Sequence, residues 1–287
     1  MKFYLFADDT NIFYQSNDLN NIQLTVNKEL KKLSLWLNAN RLALNTMKTN
    51  FVIFASKNKP LKNVTLLLNK KAFEQKDYVK YLGILIDSKL TFQTHINTVS
   101  KKLARVTGIM YRIRKFVSNA TLRMIYNSLM YPFILYGVPI WGNADEVHLT
   151  SIFRTQKKAV RIITNNHHFN EDTFERVHSA PLFKELKLLN IYDVFKIEAL
   201  KFVFDSVNKN NPSQFHSFYA HPVNNTNTAA NRNNNLNTPS PRTTSYGIKS
   251  LKYTGVILWN DLDTNLRNSP SKANFSKKIK SAIIESY

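Results

Sequence analysis

Cysteine is absent from all 287 residues, so the chain forms no disulfide and holds no Cys-containing zinc knuckle. That composition fits a reducing compartment, the cytosol or the nucleus. Long apolar runs are missing as well. The opening Met-Lys-Phe-Tyr-Leu-Phe-Ala is cut short by Asp8 and Asp9, too brief for the core of a signal peptide, and no secretion is expected. The longest greasy stretch, Leu129 to Trp141, is interrupted by Pro132 and Pro139 and falls short of the roughly 20 residues that a membrane-spanning helix requires. It reads as buried core. Internal repeats are lacking too. Acidic residues are scarce: 19 Asp and Glu stand against 40 Lys and Arg, a net charge of +21 with a sequence pI near 10.0. Such a field draws polyanions, nucleic acid first, with an anionic membrane surface as the alternative. Abundant Asn, Lys, Ile, Phe and Tyr are also what translation of an A+T-rich genome yields, which accounts for part of the lysine count.

What is present is enough to fold. With 43% hydrophobic and 12% aromatic residues the chain is not wholly disordered, and its length suits one or two domains. Lys2 to Phe13 reads as two short strands hinged at Asp8 and Asp9, a hairpin with carboxylates at its tip. Ile22, Val26, Leu30, Leu33 and Leu37 share one helical face, and Asn38 to Asn40 supply its stop. Phe51 to Ala55, Val64 to Leu68 and Tyr78 to Asp87 read as strands, mostly antiparallel, so the first ninety or so residues form an α+β unit. Beyond Phe92 the period becomes helical: Ile96, Val99, Leu103, Val106, Met110 and Ile113 make one stripe, and helices follow at 120–131, 145–164 and 184–207. Asn224 to Arg242 is dominated by Asn, Thr, Pro and Ser and reads as a flexible linker. A last amphipathic piece, Val256 to Ile284, carries Trp259, Leu262, Leu266, Phe275, Ile279 and Ile283 and is expected to dock onto the helical region.

Phe6-Ala7-Asp8-Asp9 is the sharpest chemical signal. Nucleotidyl transfer with two metal ions requires rigidly presented carboxylates, and a hairpin tip presents them rigidly. Metals about 3.5–4 Å apart need ligands from more than one strand, however, and Asp in a turn is common for its own backbone hydrogen bonds alone. His167 and His168 have no Cys and no obvious third ligand near them in sequence, so no metal is assigned to them.

Context settles more than the pair does. Phe6-Ala7-Asp8-Asp9-Thr10 between apolar strands resembles motif C of reverse transcriptases. Leu44-Asn45-Thr46-Met47-Lys48-Thr49, after Trp36 and Asn40 and before Phe51 to Phe54, resembles motif D of the non-LTR retrotransposon enzymes. Lys80-Tyr81-Leu82-Gly83-Ile84, then Asp87, Leu90, Phe92, His95 and Ile96, resembles their primer-grip strand and thumb entry. Tyr131 to Gly137 with Trp141-Gly142, and Gln156 to Arg161, are similar to the helical region of jockey-type elements. Leu258 to Leu262, Leu266-Arg267, Ser271 and Phe275 are similar to their tail, with Asp263 where a proline is common. Only the Asn-rich stretch stands outside the resemblance.

The resemblance implies an α+β fold: a truncated polymerase palm of antiparallel sheet plus helix at 1–92, an all-helical thumb and connection at 93–222, a linker at 223–247 and a helical tail at 248–287. It implies an RNA-directed DNA polymerase, with Asp8 a metal ligand, Asp9 its less directly coordinated neighbour, and Mg2+ the cofactor. Lys48 would protonate or neutralise the leaving pyrophosphate; without that context Lys48 is an ordinary solvated lysine. Lys80, Tyr81 and Gly83 would lie against the primer. Gly83 has a structural reading too, a bulge where backbone approaches backbone. The implied partners are an RNA template and a DNA primer or RNA–DNA hybrid, with no small-molecule cofactor beyond dNTP and no membrane.

In that family a further metal-binding Asp in motif A, the nucleotide-pocket motif B and the fingers all lie upstream of motif C, and only seven residues precede Asp8 here. The chain alone is therefore expected to be inactive, a fragment. Two basic stripes bear on binding. Lys101, Arg105 and Arg112 lie opposite the apolar stripe of their helix, and Arg154, Lys157, Lys158 and Arg161 recur at helical-neighbour spacing. Either tracks phosphates or is simply a solvated helix face. Besides a polymerase remnant, the sequence admits a non-catalytic basic module that grips RNA or a hybrid, and a degenerate element without selected function. Under the last, an apolar sheet edge left bare beside the motif C hairpin favours aggregation.

Overall fold

In the computed structural model, residues 1–7, 9–45, 49–55, 64–68, 71–165, 178–219 and 235–287 are described. The chain divides into two units, Met1–Thr91 and Phe92–Tyr287. The architecture is mixed, largely helical with small sheets.

The first unit opens with β1 (Lys2–Phe6) and β2 (Asp9–Phe13), an antiparallel hairpin in the register Lys2↔Phe13 to Phe6↔Asp9. Helix α1 (Leu19–Ala39) starts where the Asp18 carboxylate accepts the amides of Asn20 and Asn21, each at 3.1 Å, the usual N-cap arrangement. Short strands follow: β3 (Asn50–Phe51), β4 (Leu67–Leu68), β5 (Lys71–Ala72), β6 (Glu74–Gln75), β7 (Tyr78–Tyr81) and β8 (Ile84–Asp87). They pair as β3 with β6, parallel, and as the antiparallel hairpins β4–β5 and β7–β8. A small core joins Leu30 of α1 to Ile53, Val64, Leu66 and Leu68, ringed by Ile12, Val26, Leu33 and Phe51. Polar groups of α1 act as a strand edge for the same segment. Asn27 donates to the Thr65 carbonyl at 3.0 Å and accepts the Leu67 amide at 2.8 Å, and Gln23 accepts the Thr65 amide at 3.1 Å.

Three expected strands differ. Of Phe51 to Ala55 only Phe51 is paired, and of Val64 to Leu68 only the last two residues, where Gln23 and Asn27 of α1 satisfy the backbone of Thr65 before them. Tyr78 to Asp87 is a hairpin, folded at Leu82 and Gly83.

The second unit is helical: α2 (Gln93–Ile113), α3 (Asn119–Ile125), a π-helical turn (Tyr126–Met130), α4 (Tyr131–Leu135), α5 (Val138–Trp141), α6 (Glu146–Ile163), α7 (Ala180–Glu185), α8 (Ile191–Val207), a 3-10 segment (Ser213–Tyr219), a second π turn (Thr244–Ile248), α9 (Leu251–Asn260), α10 (Thr264–Arg267) and α11 (Lys272–Glu285). The first π turn precedes Pro132, which has no N–H to return to the preceding turn. The amide of Tyr131 instead reaches the carbonyl of Tyr126, five residues back. The expected helix over 184–207 is two. Lys187 takes a left-handed conformation, φ 51°, and Asn190 caps α8 by accepting the amides of Tyr192 at 2.9 Å and Asp193 at 3.1 Å. The stretch from Leu129 to Trp141 is only half core. Met130, Ile134, Val138 and Trp141 are fully buried, while Leu129, Phe133, Tyr136 and Ile140 face solvent.

α2 packs on α6, and α8 is enclosed by α4, α5, α6, α9 and α11. Gly142 is required by close approach: a Cβ there would sit 2.7 Å from Val138 and 2.9 Å from the Phe195 ring of α8. The tail is bound by aromatic contact, with Phe275 stacked on Phe204 at 4.6 Å and 5.8 Å from Trp259. Lys249–Asp145 and Lys272–Asp205 ion pairs fasten it further. Within the stretch read as a linker, Leu236 is buried, exchanging hydrogen bonds of 2.8 and 2.9 Å with Asn260, and Asn235 accepts from Arg267 at 2.6 Å. Asp263 takes the helix-capping role at α10, accepting the Asn265 amide at 2.7 Å. No described helix is long and apolar enough to cross a membrane.

Two outcomes follow from this packing. Gln156, fully buried on α6, donates to the Tyr126 hydroxyl at 2.9 Å and the Leu189 carbonyl at 3.2 Å, and accepts the Ile191 amide at 2.8 Å. Gln156→Leu strands these groups without partners and lowers the unfolding free energy by about 1–3 kcal/mol, read from urea denaturation followed by circular dichroism; an unchanged midpoint would contradict it. Strand β1 is solvent-exposed along its length, Leu5 at 74%. Leu5→Lys should therefore reduce concentration-dependent association in light scattering without shifting the melting temperature, and equal scattering from both proteins would refute this.

Candidate functional site

At the β1–β2 hairpin the strands carry Phe3, Leu5, Ile12 and Phe13, and Tyr4 packs edge-on against Phe13 at 5.4 Å. Ala7 turns the chain in a left-handed conformation, φ 51°. Asp9 is the first residue of β2, exposed and paired with Phe6. Asp8 and Lys48 lie outside the described residues, as do His167 and His168. Among the described residues no group of three or more His, Asp or Glu is placed to hold a metal ion. Asp9 by itself does not make a two-metal donor set.

The β7–β8 hairpin belongs to a separate two-stranded sheet. Its turn has two residues, Leu82 at φ 44° and Gly83 at φ 83°. Both central positions are left-handed, as a type I′ turn requires, and the glycine takes up that geometry freely while the leucine does not. Gly83 is thus a turn residue and not a bulge. Lys80 is exposed on β7, and Tyr81 beside it is half-buried. Asp87 braces the exit: its carboxylate accepts the amides of Lys89 at 3.1 Å and Thr91 at 3.0 Å and the Thr91 hydroxyl at 3.1 Å.

On α2 the buried face is His95, Ile96, Val99, Leu103, Thr107 and Met110, so Lys101, Arg105 and Arg112 are turned outward and exposed. The stripe passes through Thr107 where the apolar pattern pointed to Val106, because the Thr107 hydroxyl satisfies itself on the Leu103 carbonyl at 2.9 Å. On α6 the buried face includes Leu149, Ile152, Gln156, Ala159 and Ile163, opposite Arg154, Lys157, Lys158 and Arg161. Arg154 and Lys158 are exposed. Lys157 and Arg161 are half-buried, and the Lys157 ammonium lies 4.6 Å from the Phe153 ring centre. Sequence spacing did not single out Lys102, whose ammonium lies 4.8 Å from the Phe133 ring centre, nor Arg114, stacked 3.5 Å over Tyr111. Phe133 of α4 reaches Lys102 only through the fold, whereas Tyr111 lies three residues before Arg114, one helical turn away.

His95 is a core residue, its ring 5.4 Å from that of Trp141. Burial, then the nearby Lys102 charge, holds its pKa below the ordinary histidine value of 6.5. A base whose folded pKa is depressed takes up protons more readily when unfolded, so stability falls as pH drops through about 6.5 toward the lower folded pKa. Urea midpoints should decline across that window in the parent and decline less in His95→Gln; parallel declines would disprove the assignment.

Fold and surfaces together define a class: a mixed α+β chain whose helices turn cationic faces to solvent. Within that class its curated homologues are RNA-directed DNA polymerases of Drosophila non-LTR retrotransposons. The chain is 28% identical over 191 residues to the probable RNA-directed DNA polymerase from transposon X-element of Drosophila melanogaster, covering 66% of this chain and 20% of that protein. It is 29% identical over 163 residues to the probable RNA-directed DNA polymerase from transposon BS of the same fly, 56% of this chain and 18% of that protein. To the RNA-directed DNA polymerase from mobile element jockey it is 28% identical over 163 residues, with 55% and 18% covered. The chain thus spans about a fifth of the length of the curated relatives it matches. No family model matches, and no solved structure matches.

Proposed function

We propose that this chain is the part of a retrotransposon RNA-directed DNA polymerase that runs from motif C to the tail, and that its own residues grip an RNA template paired with a DNA primer. The observation that carries this reading is the 28% identity to the X-element polymerase over 66% of the chain. Motif order supports it. Asp8 and Asp9 come first, then Lys48, then Lys80, Tyr81 and Gly83, then the helices. In the reading 1–92 is palm, 93–222 thumb and connection, 223–247 linker and 248–287 tail. Asp8 and Asp9 are two of the ligands for Mg2+, Lys48 acts at the leaving pyrophosphate, and the nucleus or cytoplasm is the place of work.

Chemistry and grip separate in this proposal. In-line attack of a primer 3′-hydroxyl on a dNTP α-phosphate, with pyrophosphate leaving, calls for a further acidic ligand that Asp8 and Asp9 do not replace. Grip calls only for cations at phosphate spacing. Exposed Lys101, Arg105, Arg112, Arg154 and Lys158, with Lys157 and Arg161 beside them, supply those.

The test is primer extension on an RNA template with Mg2+, with Asp8→Ala as control, together with filter binding of an RNA–DNA hybrid from low to high salt. Hybrid binding that falls steeply with salt, without extension, is expected. Arg105→Glu with Lys158→Glu should weaken binding evenly across sequences and flatten the dependence of log K on log salt, by roughly one unit for each phosphate left without its cation. Unchanged binding after both reversals would remove the grip from these helices. Extension abolished by Asp8→Ala would show the chemistry complete on this chain.

A further inference from the structure

Between Asp87 and Asp145 every Lys, Arg, Asp or Glu in the chain is a Lys or an Arg. Within that acid-free stretch, where α2 ends and the turn to α3 begins, cations alternate with exposed rings: Tyr111, Arg112, Arg114, Lys115 and Phe116. Phe116 is 85% exposed and Tyr111 53%. The Arg114 guanidinium lies 3.5 Å from the Tyr111 ring centre and donates to the Tyr111 carbonyl at 2.7 Å, which fixes the stack in place. Phe116 is held by its own backbone, its amide bonded to the Ile113 carbonyl at 2.8 Å.

We propose that this cluster is a stacking site for the unpaired bases of a single-stranded nucleic acid. The proposal rests on the reading of nucleic acid as partner and adds to it which strand state the cluster takes. A helix C-terminus already favours cations, so Arg112 and Arg114 have a structural reason to be there. Phe116 has no such reason, since a phenyl ring in water gains nothing from the helix dipole. A ring and a guanidinium-on-ring stack offer flat faces to other flat faces, and Arg112 and Lys115 offer charge to the phosphates that join them. Duplex bases are already stacked and hide their faces. Unpaired bases do not.

The experiment uses the full chain and fluorescence anisotropy with three labelled probes: a short oligothymidylate, an abasic oligonucleotide of equal length and charge, and an RNA–DNA hybrid. The parent should bind the oligothymidylate about tenfold more tightly than the abasic strand, or better, since each stacked base contributes at that level. Phe116→Ala should abolish this preference while leaving hybrid binding and its salt dependence unchanged, and Phe116→Trp should retain it. Equal affinity of the parent for the two single strands would overturn the proposal, as would a preference that survives Phe116→Ala. So would equal loss of all three probes, or loss only of self-association in light scattering, which would make Phe116 a protein contact. Failure of the parent on the hybrid alone would instead sink the grip proposed above and leave the stacking site standing.

Discussion

Helix α8 buries apolar side chains around its whole circumference, from Ile191 and Val194 through Ile197 and Leu200 to Val203 and Phe204. A helix apolar on every side has no stable place at a surface, so the second unit exists to enclose it. Five helices do so, and two of them, α9 and α11, come from the far end of the chain. The tail is thereby part of the core. Phe204 meets Trp259 and Phe275 at the centre of that contact, and the last residue closes the far side, the Tyr287 hydroxyl lying against Asn190 and Asp193 at the start of α8. Burial and the adjoining Asp193 carboxylate push that hydroxyl's pKa up, so it stays protonated and keeps donating.

Among the described residues the first unit has no counterpart to α8. Among the described residues its sheets have two strands each, its core is a handful of aliphatic side chains, and side chains of α1 rather than a further strand meet the backbone of Thr65 and Leu67. Two-stranded hairpins are marginal on their own in water. Stability in this chain is therefore uneven, with the helical unit the more deeply packed of the two.

The sequence was most legible where periodicity and burial agree. The stripe from Ile96 to Met110 and the span of α6 could be read directly, since each buries one face and shows the other, and the hairpin ending at Phe13 could be read from its apolar strands on either side of the acidic pair. It was least legible where a single residue overrides a pattern. Pro132 forces a π turn inside an otherwise regular run. Asn190 divides what looks like one helix, because a cap outweighs continuing apolar spacing. The turn at Leu82 and Gly83 was hidden by the leucine, a residue that rarely turns left-handed. Gln156 sits among basic residues in sequence, and no local pattern marks it as the polar centre of the core. Of the site, spacing found the outward cations, and the Tyr111–Arg114 and Phe153–Lys157 pairs lie at helical-neighbour spacing, while the Lys102–Phe133 contact depends on tertiary packing that no local pattern encodes.

Charge sets the last constraint. A net +21 opposes compaction through self-repulsion, and acidic side chains do little to relieve it where the cations are densest. Asp145, Glu198 and Asp205 pair with Lys249, Lys201 and Lys272, holding the tail and bracing α8. Among the described residues none of these acidic groups pairs with Lys101, Arg105 or Arg112. Acid placed there would have stabilised the free protein by relieving repulsion along α2, and neutral side chains would have served a solvated face as well. A helix that keeps its cations at a cost in the free state gains only when a polyanion neutralises them, and that gain grows with each phosphate met. The outward cations of α2 and α6 therefore add nothing to the packing of the fold they belong to.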